Sequence, residues 1–383
     1  MSSSASTAIR VLVVDDSGVM RRIIATALGK HPEIEVVGFA NNGLEAIEAV
    51  RRLQPDLVTL DIEMPEMDGL AALREIRKFE RRMPIVMFST LTHKGAQATV
   101  LALTRGASDY VEKPGAGSID MSASFDVLAN QLIPKVLALG RRQRVETLQR
   151  PDPTALHSHP AGPRATRPSL ETASATISAT PLRAARGVRF AKALCIGVST
   201  GGPVALMDLF GQLGGALPVP IFIVQHIPAS FSALLAARLT TAGEIEVCEA
   251  SDGEIARPGV AYLAPGDQHM VLVRSAAGVT IRLNREAPEN SCRPSVDVLL
   301  RSAAQVYGAE LLAVILTGMG SDGLQGCREV SARNGQIVVQ DEPSSVVWGM
   351  PGAVARDGLA EAVVSLDGMG QEILSRLTRV RQA

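Results

Sequence analysis

The chain has 383 residues, more than one ordinary domain holds, and 46% of them are apolar while only 3% are aromatic; two cores built mainly from Val, Ile, Leu, Ala and Met are expected. A formal net charge of −1 supplies no whole-chain attraction to nucleic acid or to an anionic membrane. No apolar run approaches the roughly 18 residues of a membrane span, the opening "MSSSASTAIR" lacks the parts of a signal peptide, and the four cysteines (Cys195, Cys248, Cys292, Cys327) stand singly, so the expectation is a cytoplasmic protein with reduced thiols, no nucleic-acid partner and no membrane insertion.

From residue 9 to about 140, strand-length apolar runs alternate with amphipathic stretches. "IRVLVVDD" precedes "GVMRRIIATALGK", "IEVVGFA" precedes "GLEAIEAVRRL", and "DLVTLDI" precedes "GLAALREIRKF"; "PIVMFST" then leads to "GAQATVLALTRG", and "DYVEKP" to "SFDVLANQLIPKVLALG". Five βα units in series predict a doubly wound parallel sheet with helices on both faces. Residues 141–189 are rich in Pro, Ala, Ser, Thr and Arg, and the stretch "PDPTALHSHPAGPRATRPSLETASATISATPLRAAR" contains no Phe, Tyr or Trp. Such a segment buries too little apolar surface to offset its ordering entropy and reads as a long flexible linker. Alternation of strands and helices resumes at "FAKALCIGV" and runs almost to the end, which predicts a second α/β domain over residues 190–383.

In the first domain, acids stand where strands end: Asp15 and Asp16 after "VLVV", and Asp61 after "LVTL". Open parallel sheets bind ligands beyond the carboxyl ends of their strands, and neighbouring strands would gather these carboxylates there. The cluster repels itself unless a cation sits in it, and hard oxygen donors suit Mg²⁺. Ser89 and Lys113 stand at two further strand ends. Acid pair, single Asp, hydroxyl and Lys-Pro in that order resemble the response-regulator receiver domain, over residues 8–135. The resemblance implies a flavodoxin-like fold in which Asp61 accepts a phosphoryl group from a histidine kinase. It implies too that Asp15, Asp16, Asp61 and the carbonyl of Glu63 hold Mg²⁺, that Lys113 and Ser89 contact the phosphoryl group, and that Tyr110 is a rotating switch. These residues speak to regulation and not to the output.

The output lies in the second domain. "AKALCIGV", "STGGP" and "VALMDLFGQLG" make a strand, a turn and a helix, with Gly197, Ser199 and Gly201 spaced as in a G-x-S-x-G nucleophile elbow. A phosphate cradle would use the same glycine-rich turn, but a dinucleotide site wants an acid at the end of the next strand, and "VPIFIVQH" ends instead in Gln225 and His226. Of six histidines, two lie in the linker and two in the first domain, leaving His226 and His269. His226 is favoured as general base, because it ends the strand that follows the serine's; His269, in "LAPGDQHMVLV", would alternatively cap or support the site. Asp322, in the glycine-rich turn after "LLAVILTG", is the candidate orienting acid, although an ordinary helix N-cap would use the same residue.

A receiver, a linker, and then "IGVSTGGP", "QHIP", "YLAPGDQHM", "CRPSVDVLL", "LTGMGSDG" and "WGMPGAVA" resemble the CheB family of chemotaxis protein-glutamate methylesterases and glutamine deamidases. The resemblance covers essentially all the chain outside the linker and implies a Rossmann-like methylesterase domain. Its triad falls on Ser199, His226 and Asp322, with Thr200 and Met319 beside the site and the N–H of Met319 in an oxyanion hole; turn 199–202, which includes Gly201, would supply further donors. No cofactor is implied for the esterase site, and methyl-accepting chemotaxis receptors are the implied substrate. Two rivals remain: a receiver-controlled DNA-binding protein, which would need a basic recognition helix that the sequence lacks, and a non-catalytic receptor-binding module that keeps esterase-like loops.

Overall fold

The computed structural model describes residues 8–90, 92–113, 121–148, 190–215 and 217–377, with the backbone alone at 93, 121–124 and 142–148. The first unit runs β1 (Ile9–Val14), α1 (Gly18–Leu28), β2 (Ile34–Ala40), α2 (Gly43–Leu53), β3 (Leu57–Asp61), α3 (Gly69–Phe79), β4 (Ile85–Ser89), α4 (His93–Thr104), β5 (Asp109–Glu112) and α5 (Met121–Leu148). All strands are parallel, in the order β2-β1-β3-β4-β5. β3 and β4 are buried at every position, as expected of strands covered by helices on both faces. Side chains start the helices: Ser17, Asn42, Asp68 and Thr92 each accept a hydrogen bond from the N–H three residues on, satisfying donors that a helix leaves open.

α5 continues to Leu148, into the stretch read from sequence as the start of the linker. "RRQRVETL" consists mostly of good helix formers, and Arg141 is held by the Glu33 carboxylate at 2.8 Å. The helix therefore covers residues 141–148 of the stretch that the composition assigns to the linker. The rest of the expected linker, from residue 149 to 189, lies outside the described residues.

The second unit runs β6 (Ala193–Val198), α6 (Gly202–Leu213), β7 (Ile221–Gln225), α7 (Ala229–Ala242), β8 (Glu246–Glu249), β9 (Val260–Leu263), β10 (His269–Ser275), β11 (Gly278–Asn284), α8 (Val296–Tyr307), β12 (Leu311–Ile315), α9 (Leu324–Ala332), β13 (Gln336–Gln340), α10 (Met350–Arg356), β14 (Ala362–Val364) and α11 (Leu366–Leu377). Seven strands form a parallel sheet in the order β14-β13-β12-β6-β7-β9-β8. One departure from simple alternation is the antiparallel hairpin β10–β11. The chain winds outward from β6 in one direction through β7 and β9, and later in the other through β12, β13 and β14. The winding reverses between β6 and β12, where a crevice opens beyond the strand ends.

Each sheet face carries its own apolar cluster, dominated by aliphatic side chains as the composition requires. The two units also pack together. Ala96 and Val100 of α4 join the cluster that holds Phe231 and Leu235 of α7, and the rings of Tyr110 and Phe231 lie 5.0 Å apart.

Candidate active site

β6 ends at Val198, so Ser199 enters the turn over the crevice. Its N–H donates to Thr317 O at 3.0 Å, and Thr317 Oγ1 donates to Thr200 O at 2.9 Å, lacing the ends of β6 and β12. The approach is tight. A Cβ on Gly318 would meet Met350 Sδ at 2.3 Å and Ser199 Cβ at 2.9 Å, so only glycine fits. Gly201 has φ of +77° and faces Val346, with no room for a side chain.

β7 pairs with β6, Val198 opposite Gln225, and His226 follows with its N–H on Val198 O at 3.3 Å. Buried Gln225 donates its amide to Ser199 O at 3.0 Å and to His226 O at 3.3 Å, tying the two turns together. The imidazole is largely buried. Its Nε2 lies 2.8 Å from Asp322 Oδ2 and its Nδ1 3.5 Å from Cys292 Sγ. Both nitrogens are thus engaged, and neither is engaged with Ser199. Burial disfavours the imidazolium, but the hydrogen bonds to Asp322 and Cys292 outweigh it and raise the His226 pKa.

Asp322 is not the N-cap of the helix that follows it; Gly323 holds that position. Its carboxylate instead faces the start of α8, accepting from the N–H of Val296 at 2.7 Å and of Asp297 at 3.1 Å. Ser295 Oγ (2.8 Å), Asn290 Nδ2 (3.0 Å) and the N–H of Gly323 (3.1 Å) also donate to it. Burial alone would raise its pKa, yet the bond from His226 and these donors hold it below the usual carboxylate range. It stays ionised.

His269 is elsewhere. Fully buried, it accepts from Ser295 N–H and contacts Ala287 O at 3.1 Å, bracing the loop that carries Asn290 and Cys292. Met319 is partly exposed and lines, with Ser199, His226 and Cys292, a cavity of about 460 Å³ whose other wall includes Tyr110 and Lys135 from the first unit. That unit engages the glycine turn directly. Thr200 Oγ1 donates to Asp109 Oδ2 at 2.7 Å, and the N–H of Gly201 donates to Ser108 O at 3.1 Å. Gly201 N–H, expected to face an oxyanion, is therefore occupied here. The sequence pattern gives no site role to Asn290, Ser295 or Asp109, and none to Gln225 and Cys292 beyond a strand end and a single thiol. No residue type in "CRPSVDVLL" or "DYVEKP" announces a contact made across the fold.

At the carboxyl edge of the other sheet, Asp15, Asp16 and Asp61 place carboxylate oxygens within 4.8 Å of one another. Lys113 Nζ lies 2.9 Å from Asp15 Oδ2 and 2.7 Å from Asp61 Oδ2, and neither oxygen receives a well-directed hydrogen bond. Burial pushes the Asp61 pKa up to about 6 against the pull of Lys113. Three carboxylates against one ammonium, all with hard oxygen donors, fit a divalent cation of the Mg²⁺ kind. Exposed Glu63 and buried Ser89 line the same pocket; Ser89 Oγ also bonds Thr99 Oγ1 at 2.5 Å. Tyr110 lies apart from it, its ring between Phe231 and the Lys135 ammonium.

Comparison with known proteins agrees with both halves. Residues 11–120 match the family described as response regulator receiver domain, and residues 194–373 the family described as CheB methylesterase. The chain is 47% identical over 374 residues to a protein-glutamate methylesterase/protein-glutamine glutaminase of Nocardioides sp., covering 97% of this chain and 96% of that one. It is 42% identical over 368 residues to a protein of the same name from Trichodesmium erythraeum, covering 96% and 99%. With a receiver sheet in front, an α/β sheet of the esterase type behind it, and relatives aligned through both, the chain belongs to the CheB methylesterase family.

Proposed function

We propose that this protein is a cytoplasmic, phosphorylation-regulated protein-glutamate methylesterase and protein-glutamine glutaminase that acts on chemoreceptors, with Ser199, His226 and Asp322 as its triad. The observation that carries the reading is the His226–Asp322 hydrogen bond of 2.8 Å, one strand away from Ser199 at the point where the sheet reverses its winding.

Ser199 Oγ attacks the γ-carbonyl of a glutamyl methyl ester while His226 removes its proton. For that, the imidazole gives up Cys292 and turns its free nitrogen to Ser199, with Asp322 steadying the imidazolium. Thr200 and Met319 offer N–H groups with no backbone acceptor among the described residues, and these meet the oxyanion; one such donor is typically worth roughly 2.7–4 kcal/mol. His226 then protonates the departing methoxide, and water repeats the sequence to free the glutamate. Glutamine reacts more slowly by the same steps, because an amide is the poorer acyl donor.

Regulation rests on the contacts of Asp109 and Ser108 with the turn beside Ser199. While they hold, the receiver occupies the space a receptor helix needs. Asp61 accepts a phosphoryl group from a histidine kinase; Asp15, Asp16 and Asp61 would hold Mg²⁺, which neutralises charge on the transferring group. Lys113 and Ser89 hold the phosphoryl oxygens, and Tyr110 leaves Phe231 as the interface opens. Methanol release from methylated receptor, measured with and without acetyl phosphate, tests the whole reading. The expected result is turnover stimulated by the phosphodonor in wild type and lost in S199A; equal turnover in S199A would overturn it.

A further inference from the structure

Cys292 takes no part in the chemistry proposed above, yet it is held beside the base. Residues 289–292 form a small closed bridge, with Glu289 and Cys292 exchanging N–H···O bonds of 3.1 and 2.9 Å. The Glu289 carboxylate is clamped by Arg301 on α8. The thiol therefore sits on a braced loop, not on a free tip, and borders the cavity that Ser199 lines.

Three distances then combine. Sγ stands 3.5 Å from His226 Nδ1. A tetrahedral zinc ion with bonds of about 2.0–2.1 Å to imidazole and about 2.3 Å to thiolate separates those two donors by about 3.5 Å. On the far side of the ring, Nε2 lies 2.8 Å from Asp322, so with an Nε2–H donating there the lone pair is left at Nδ1, facing the thiol. A carboxylate on the second nitrogen is the usual outer support of a metal-bound histidine. His226, Cys292 and Asp322 also form one of the two groups of candidate metal-ligating side chains among the described residues; the other, in the receiver, has oxygen donors only.

We propose that His226 Nδ1 and Cys292 Sγ form a binding site for a thiophilic divalent cation of the zinc class, and that occupation withdraws the imidazole from Ser199. On coordination the thiol proton passes to solvent, Nδ1 and Sγ each donate an electron pair, and water completes the shell. Two protein ligands make the site reversible. The effect on turnover rests on the reading of His226 as the base; binding itself rests on the geometry alone.

Cadmium titration of the full-length protein in excess Mg²⁺ reads the thiolate-to-metal charge-transfer absorption, to which the carboxylate cluster of the receiver is silent. Wild type and C248S should show the band at one equivalent. C292S should lose it, and H226Q, which keeps the thiol, should bind more than roughly tenfold more weakly, since losing even an outer partner costs about that much. Zn²⁺ should inhibit wild-type methanol release reversibly, and C292S, scaled to its own metal-free rate, should be at least about tenfold less sensitive. A band missing from wild type, one that survives in C292S, or equal zinc sensitivity of the two would overturn the proposal. A wild type that shows the band but never releases methanol would overturn the methylesterase reading and leave the metal site standing.

Discussion

Thr200 donates its hydroxyl to Asp109 across the two domains at 2.7 Å, and it is the residue next to Ser199. Asp109 is buried and is also bonded by Lys135 Nζ at 2.7 Å and by Tyr110 N–H at 2.8 Å. The start of the receiver strand that carries Tyr110 is thus wired to the turn that carries Ser199. A change in Tyr110 or Lys135 reaches Thr200 through a single carboxylate.

That wiring makes D109N informative. The amide keeps the size of the side chain but loses the charge that strengthens the Thr200 bond, while Lys135 keeps its bond to Tyr110 O. A hydrogen bond is worth about 0.5–1.5 kcal/mol net, so the closed arrangement should weaken by roughly twofold to tenfold. Methanol release without phosphodonor should rise by that factor, and stimulation by acetyl phosphate should shrink to match.

Ser199 and Asp322 should separate stability from turnover. Ser199 Oγ supports none of the loop contacts described above, so S199A should melt like wild type while kcat falls by at least about 10³-fold. Asp322 accepts from His226, Asn290, Ser295, Val296, Asp297 and Gly323. D322A leaves those buried donors unmet and should cost about 3 kcal/mol or more of unfolding free energy in urea titration, besides the lost activity.

The pH profile follows from the His226–Asp322 pair. A general base works only when neutral, and the carboxylate favours the imidazolium, raising the His226 pKa above its ordinary value of about 6.5. Initial rates of unphosphorylated protein should therefore climb with pH through a midpoint above about 6.5. In D322N the stabilising charge is gone, so the midpoint of the residual activity should move down, not up.

Asp61 should behave in the opposite sense to a salt-bridged acid. Its folded pKa is raised to about 6 by burial, above the unfolded value, so folding disfavours its charge. The destabilisation is absent below the unfolded pKa, grows through the interval up to about 6, and is complete above it. In metal-free buffer at pH 8, D61N should raise the thermal midpoint by the equivalent of about 1–2 kcal/mol, the shift discounted for partial solvation. Near pH 3, below the unfolded pKa of about 3.9, the two proteins should melt together. The same substitution should end stimulation by acetyl phosphate.

Much of the architecture was readable in advance, and for one reason. Parallel strands covered on both faces are apolar throughout, so they stand out as short runs, and whatever polar residue ends a run lies at the ligand-binding edge. Asp15, Asp61, Ser89, Lys113, Ser199 and His226 were found that way. The sequence pattern ends α5 near Gly140 and the structure carries it to Leu148, because a linker's composition and the helix end "RRQRVETL" look alike locally, and only the fold brings Glu33 to Arg141.

The sequence by itself determined the two α/β units, the acid cluster at one sheet edge, and the serine and histidine at adjacent strand ends, because each follows from local periodicity. Tertiary structure alone decided that Asp322 reaches the start of α8 and not its own helix, that the His226 ring faces Cys292, and that Asp109 and Ser108 take the donors of Thr200 and Gly201. Those partners lie between 26 and 93 residues apart in the chain. Local propensity carries no information over such separations; only the packed sheets, which fix where each loop must close, bring the groups within bonding distance.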